Sequence, residues 1–202
     1  MTEATQPALS IEALRSGDRQ EFARLVEAYS PVVYRLALKM LGDPQDAEDV
    51  LQNTFLQAFR HMAGFEGRSS LSTWLYRIAA NEALMLLRKR RPETSFSDQG
   101  PEDEGAAEQP TRFTDWCCLP EDEMLSGEAR RHLDQAVGRL PENLRVVFLL
   151  RDIEGLSIQE TGQALNLSET AVKTRLLRAR LRLREDLSTY YGERLKDRSV
   201  EK

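Results

Sequence analysis

Six basic residues occupy the twelve positions from Lys173 to Arg184, on a chain whose formal net charge is −5. Guanidinium and ammonium groups at that density neutralise phosphates, and a chain too acidic to coat nucleic acid indiscriminately must aim them by shape. The surrounding stretch "SIQETGQALNLSETAVKTRLLRARLRLRE" supplies the shape. Ser157 and Glu160 read as a capping box opening a short helix, Asn166 to Ser168 make a three-residue turn, and Ser168 caps a longer helix. That order is a helix-turn-helix, whose second helix enters the DNA major groove. At about 100° per residue, Val172, Leu176, Ala179 and Leu183 fall on one side as the buried stripe. Thr170, Lys173, Thr174, Leu177 and Arg178 face away, toward base edges, while Arg175, Arg180 and Arg182 flank the stripe within reach of phosphates. A solvated cationic helix or a partner-binding coil is the plainer reading; the capped helix and tight turn favour DNA.

A second constellation suits single strands. Trp74, Arg77, Asn81, Leu84 and Arg88 recur at helical spacing, combining an aromatic ring, an amide and two cations on one side. Rings stack on unpaired bases, amides read their hydrogen-bonding edges, and guanidinium groups hold the backbone. The preceding loop, with Phe65, Gly67, Arg68, Ser69 and Ser70, has the composition to wrap a flipped base. Taken singly, Trp74 reads as a core anchor and "RKRR" at 88–91 as a solvated helix end. The combination is more specific than its members.

The elements that must position these residues are helices throughout. Asp18 with Glu21 opens one as a capping box, with Phe22, Leu25, Val26 and Tyr29 on one face, and Ser30-Pro31 is expected to restart or kink it. Asp43 and Pro44 begin the next, with Val50, Leu51, Phe55 and Phe59 inward and Asp46, Glu48, Asp49, Gln52 and Asn53 mostly outward. "LSTWLYRIAANEALMLLRKRR" follows as a long helix, burying Leu71, Leu75, Ile78 and Met85. In the C-terminal half, Leu140-Pro141 divides two helices and Gly155 ends the second. No convincing alternating strand pattern occurs, so the expected fold is all-α: two small helical domains, residues 1–92 and 126–191, with a tail at 192–202.

Between the domains, residues 93–125 carry ten acids against one base, Arg112. Gly, Pro and Ser without helical or strand period mark this as an acidic linker. Relaxed, such a coil averages about 30 Å end to end; stretched, it reaches about 100 Å. Trp116, Cys117, Cys118 and Leu119 form its one apolar cluster. The adjacent cysteines cannot staple distant segments, His61 and His132 lack a metal-ligand spacing, and no phosphate-binding loop or dinucleotide fingerprint occurs. No catalytic residue, metal or cofactor is expected. The N-terminus lacks a basic-then-apolar pattern and the longest apolar run, "VVFLL", is too short to span a bilayer. A cytoplasmic protein without membrane insertion is expected.

Three segments, "FARLVEAYSPVVYRLALKMLGDPQDAEDVLQNTFLQAFR", "FEGRSSLSTWLYRIAANEALMLLRKRR" and "LPENLRVVFLLRDIEGLSIQETGQALNLSETAVKTRLLRARLRLRE", resemble the two conserved regions of bacterial extracytoplasmic-function sigma factors of the sigma-70 family. The resemblance implies that residues 1–92 are sigma region 2, with Asp46, Asp49, Gln52 and Phe55 on the helix that docks the polymerase β′ clamp helices. It implies that Phe65, Arg68 and Ser69, with Trp74, Arg77, Asn81 and Arg88, melt the minus-ten element and capture a non-template base. Residues 126–191 would be region 4, binding the minus-thirty-five duplex through Thr170, Lys173, Thr174, Arg175, Leu177 and Arg178 and holding the β flap tip. The implied partners are core RNA polymerase, promoter DNA as duplex and single strand, and an anti-sigma factor. A promoter-binding regulator that stays outside holoenzyme is the alternative from the helix-turn-helix alone.

Overall fold

The computed structural model describes residues 9–90 and 127–200, so the acidic linker, with Trp116 and the Cys117–Cys118 pair, lies outside the described residues. Every regular element among the described residues is helical. In the N-terminal half these are α1 (Ile11–Arg15), α2 (Arg19–Leu41), α3 (Pro44–His61), a 3-10 turn (Met62–Gly64) and α4 (Leu71–Arg90). The C-terminal half holds α5 (Gly127–Arg139), α6 (Glu142–Phe148) widening into a π turn (Leu149–Ile153), α7 (Ile158–Leu165) and α8 (Glu169–Val200). The last helix runs beyond residue 191, so no helix end marks the start of the expected tail.

Local chemistry sets most helix starts. Asp43 accepts from the Asp46 amide at 3.0 Å, with Pro44 in the first turn, where its missing N–H costs nothing. Asp18 accepts from the Gln20 and Glu21 amides at 2.8 and 3.1 Å, but only half of the expected box forms. The Glu21 carboxylate turns instead to the Ser10 amide at 2.6 Å and to Arg24 at 2.7 Å, tying α1 onto α2. The expected restart at Ser30-Pro31 is also absent: α2 runs through Pro31 unbroken. Pro31 is exposed, so water can satisfy the carbonyl that its missing amide leaves free.

Helices α2, α3 and α4 pack into one bundle around Leu25, Val33, Leu36, Met40, Val50 and Leu75, each at most 2% exposed. Two expected core positions differ. Phe59 is 49% exposed, its ring edge-on to Phe22 at 5.0 Å, and Met85 is 48% exposed. The α4 helix buries the small residues Ala79, Ala80 and Ala83 instead, because close approach to its neighbours leaves no room for long side chains on that face.

The helix-turn-helix forms as read. Ser157 accepts from the Glu160 amide at 3.1 Å while Glu160 accepts from the Ser157 amide at 2.8 Å, closing the box, and these bonds draw the Glu160 carboxyl below its ordinary range. Asn166 takes the left-handed conformation (φ 55°) to end α7, and Ser168 accepts from the Ala171 amide at 3.2 Å to start α8. A Cβ at Gly162 would stand 2.8 Å from the Leu167 carbonyl oxygen, so only glycine allows the turn to fold this closely onto α7.

The two halves are in contact, α2 with α5 and α6, and α4 with α7. Arg35 of α2 donates twice to Glu154, at 3.1 and 3.3 Å, and the Tyr76 hydroxyl of α4 donates to the same carboxylate at 2.8 Å. Burial pushes the Tyr76 phenol up, and the adjacent Glu154 charge adds to the shift. Lys39 meets Asp134 at 3.0 Å, the Thr73 hydroxyl donates to Glu160 at 3.4 Å, and Arg145 donates to the Met40 carbonyl as well as to Gly138 and Leu140. Burial holds the Arg145 guanidinium below its ordinary pKa.

Candidate nucleic-acid interface

Helix α8 presents the face that its phase demands. Val172, Leu176, Ala179 and Leu183 are at most 5% exposed against the α6 and α7 side of the domain, while Thr170, Lys173, Thr174 and Leu177 stand in solvent. Lys173 sits 3.7 Å from Glu169 one turn earlier, both side chains being 60% exposed, a loose pair that a phosphate can displace. Arg175 and Arg178 are half-buried beside this face. Arg180, expected near phosphate, instead forms a two-point ion pair with Asp152 at 2.7 and 2.9 Å, which raises its pKa and braces α8 against the π turn.

The second surface runs along α4. Arg77 and Asn81, one turn apart, and Arg88, two turns further on, are exposed, and Trp74 is half-buried with its ring 5.1 Å from that of Phe65 at 50°. Phe65 itself is 5% exposed, so it backs Trp74 and does not stand free in the loop. Beyond it, Arg68 pairs with Glu66, and Ser69 is half-buried. Ser70 accepts from the Thr73 amide at 3.1 Å and so begins α4. The loop's polar edge and the α4 stripe therefore meet at Trp74, a partly open aromatic face beside exposed cations and an exposed amide. That surface can stack a base and hold its backbone.

Helix α3 divides the four residues assigned to it. Asp49 and Gln52 are exposed, whereas Asp46 is 7% exposed and bonded to Arg90, and Phe55 is 8% exposed in the core. The Arg90 partner, remote in sequence, draws Asp46 inward. On the open side, Leu56 at 52% and Phe59 at 49% exposed continue the Asp49–Gln52 row. Sequence reasoning missed Leu56 altogether; its position seven residues after Asp49 was the available signal.

Similarity to known proteins follows the same division. "Sigma-70 region 2" matches residues 25–93, and "Sigma-70, region 4" matches residues 130–183. Over 177 residues the chain is 35% identical to the ECF RNA polymerase sigma factor SigW of Bacillus subtilis, spanning 88% of this chain and 94% of that protein. The chain belongs to the sigma-70 family. It is an extracytoplasmic-function sigma factor, similar also to the RNA polymerase sigma-H factor of Pseudomonas aeruginosa, at 36% identity over 172 residues covering 84% of this chain and 88% of the other. Among solved structures, CnrH in complex with the cytosolic domain of CnrY superposes with a TM-score of 0.63 at 25% identity, covering 89% of this chain and 95% of that one. The sigma factor RpoE of Bartonella quintana, in complex with the anti-sigma factor NepR, shares the fold at a TM-score of 0.61 and 24% identity, over 84% of this chain and 98% of that one.

For a sigma factor of this family, the α4 stripe, the loop before it and α3 all lie inside the region 2 match, and α6 to the first half of α8 lie inside region 4. Helix α1 lies outside both. Among the described residues no group of three or more His, Cys, Asp or Glu side chains is placed to hold a metal, and no helix is long and apolar enough to cross a membrane.

Proposed function

We propose that this sigma factor divides promoter recognition between two surfaces: residues 126–191 read the minus-thirty-five duplex through α8, and residues 1–92 open and hold the minus-ten element along α4. The phase of α8 carries the reading, since Thr170, Lys173, Thr174 and Leu177 are exposed opposite a fully buried stripe. Arg175 and Arg178 then supply cations at the edge of the groove. At the other surface, Trp74 stacks the unpaired base on a Phe65-backed ring, Asn81 meets its polar edge, and Arg77, Arg88 and Arg68 hold the strand.

Core polymerase docks through the outward row of α3: Asp49 and Gln52 make polar contacts, and Leu56 and Phe59 bury apolar area against the β′ clamp helices. Asp46 and Phe55 support that row from beneath. The C-terminal half holds the β flap tip. The protein acts by binding, without a catalytic group of its own, in the cytoplasm. The likeness to CnrH, solved with the cytosolic domain of CnrY, and to RpoE, solved with the anti-sigma factor NepR, supports a protein antagonist of the anti-sigma class.

The test uses holoenzyme and a promoter selected from a random-sequence pool. Trp74→Ala and Asn81→Ala should cut permanganate reactivity of the minus-ten thymines on duplex templates, with loss of stacking costing about 1–3 kcal/mol. Binding of the upstream duplex should be unchanged. Wild-type opening by both variants would reject the assignment of the α4 stripe.

A further inference from the structure

The helix that precedes the matched region is fastened to the loop that the minus-ten reading needs. In α1, Leu14 is 2% exposed, and Ser10 caps the helix by accepting from the Ala13 amide at 3.2 Å. Ser10 is itself held by Glu21 at 2.6 Å, and the Asp18 amide donates to the Ala13 carbonyl at 3.0 Å, so α1 is anchored to the start of α2 at both ends. From the last residue of this short, fixed helix, the Arg15 guanidinium reaches across fifty positions of sequence. Its Nε donates to the Phe65 carbonyl oxygen at 2.6 Å, and its Nη2 donates to the same atom.

That carbonyl belongs to the residue whose ring backs Trp74. A charged donor pair on a single carbonyl fixes the peptide plane after Phe65, and with it the direction in which the chain leaves toward Arg68 and Ser69. The Phe65 amide is held from the other side by the Met62 carbonyl at 3.0 Å. Both backbone polar groups of Phe65 are thus engaged, one by its own turn and one by α1.

We infer that Arg15 is a positioning residue for minus-ten recognition: through the Phe65 carbonyl it sets the loop and the Trp74 ring in the geometry that receives the unpaired base. The inference rests on the proposed base-capturing role of the loop and Trp74, and the experiment separates the two. Arg15 touches no DNA in this account. Its effect is to remove the ordering that the loop would otherwise undergo when the base arrives.

The measurement is the affinity of holoenzyme for a single-stranded minus-ten oligonucleotide carrying 2-aminopurine at the captured position, compared for wild type, Arg15→Ala, Arg15→Lys and Trp74→Ala, alongside affinity for core polymerase. Arg15→Ala should weaken oligonucleotide binding about tenfold and raise the 2-aminopurine fluorescence at saturation, because a base held in several poses stacks less on Trp74 and is less quenched. Arg15→Lys, which keeps the charge and one donor, should recover most of the affinity. Core binding should be equal in all four proteins. Wild-type affinity and signal in Arg15→Ala, with a loss in Trp74→Ala, would overturn the role of Arg15 and leave the base-capture reading standing. Wild-type behaviour in both would overturn both. Parallel loss of core binding in Arg15→Ala, or no recovery with Lys, would reduce Arg15 to a general structural contact and likewise overturn the inference.

Discussion

The Glu154 carboxylate, in the C-terminal half, accepts the Tyr76 hydroxyl of α4 at 2.8 Å, joining two residues 78 positions apart across the seam between the halves. The Glu154 side chain is 3% exposed and also carries both Arg35 bonds, so one carboxylate satisfies donors from α2 and α4 together. Two promoter elements nearly two helical turns apart are separated by roughly 60–70 Å at 34–36 Å per turn. On the proposed division of promoter recognition between the two halves, promoter engagement is expected to open this seam.

Glu154→Ala should therefore loosen the free protein. It leaves the Tyr76 hydroxyl buried without its acceptor and Arg35 without its anion, weakening the seam by about 1–3 kcal/mol. Small-angle scattering should show a larger radius of gyration for the variant at equal helix content. An unchanged radius would mean that the remaining contacts, Lys39–Asp134 and Arg145 with the Met40 carbonyl, hold the halves together without it.

The capping box of α7 predicts an acid dependence with a definite sign. Hydrogen bonds from Ser157 lower the Glu160 pKa from its ordinary 4.5, so the ionised form favours the folded state. Its contribution is present above about pH 4.5 and is lost as the pH falls through the lower folded value. Glu160→Gln keeps the shape of the box but cannot ionise. The stability difference between wild type and variant, from urea unfolding at a series of pH values, should shrink from neutral pH toward pH 3. A constant difference over that interval would contradict it.

Gly162→Ala should damage the helix-turn-helix while leaving the N-terminal half intact. Its Cβ would meet the Leu167 carbonyl oxygen at 2.8 Å, and overpacking of this kind costs about 1–3 kcal/mol. Hydrogen exchange should show faster opening confined to α7 and α8. Protection equal to wild type would show that the turn can yield.

The local features were legible in the sequence because their partners are near neighbours. Ser157 with Glu160, Ser168 with Ala171, and the stripe of Val172, Leu176, Ala179 and Leu183 follow from spacing alone. Distant partners were not. Asp46 reads as a surface acid until Arg90 is brought to it, and Arg180 reads as a phosphate contact until Asp152 claims it. Phe59 and Met85 read as core by type, but neighbouring small residues carry the packing, leaving both about half exposed. Arg15 and Glu154 had no signal, since each acts on residues 50 or more positions away.

Salt dependence separates phosphate contact from base reading on α8. Arg178→Ala should weaken binding to all upstream duplexes and reduce the slope of log affinity against log salt by about one. A Thr174→Ala loss should instead depend on sequence, because a hydroxyl at a base edge discriminates. An unchanged salt slope with Arg178→Ala would move that residue off the phosphate backbone.

Run-off transcription with purified core polymerase tests the central claim most directly. A genomic-fragment pool is transcribed with core plus this protein alone, and the transcript starts are sequenced. The account predicts discrete start sites sharing an upstream and a downstream element, with the upstream preference altered by Thr174→Ala and the opening step impaired by Trp74→Ala. No specific transcript from core plus this protein, with specific starts appearing only when a second sigma factor is supplied, would contradict it.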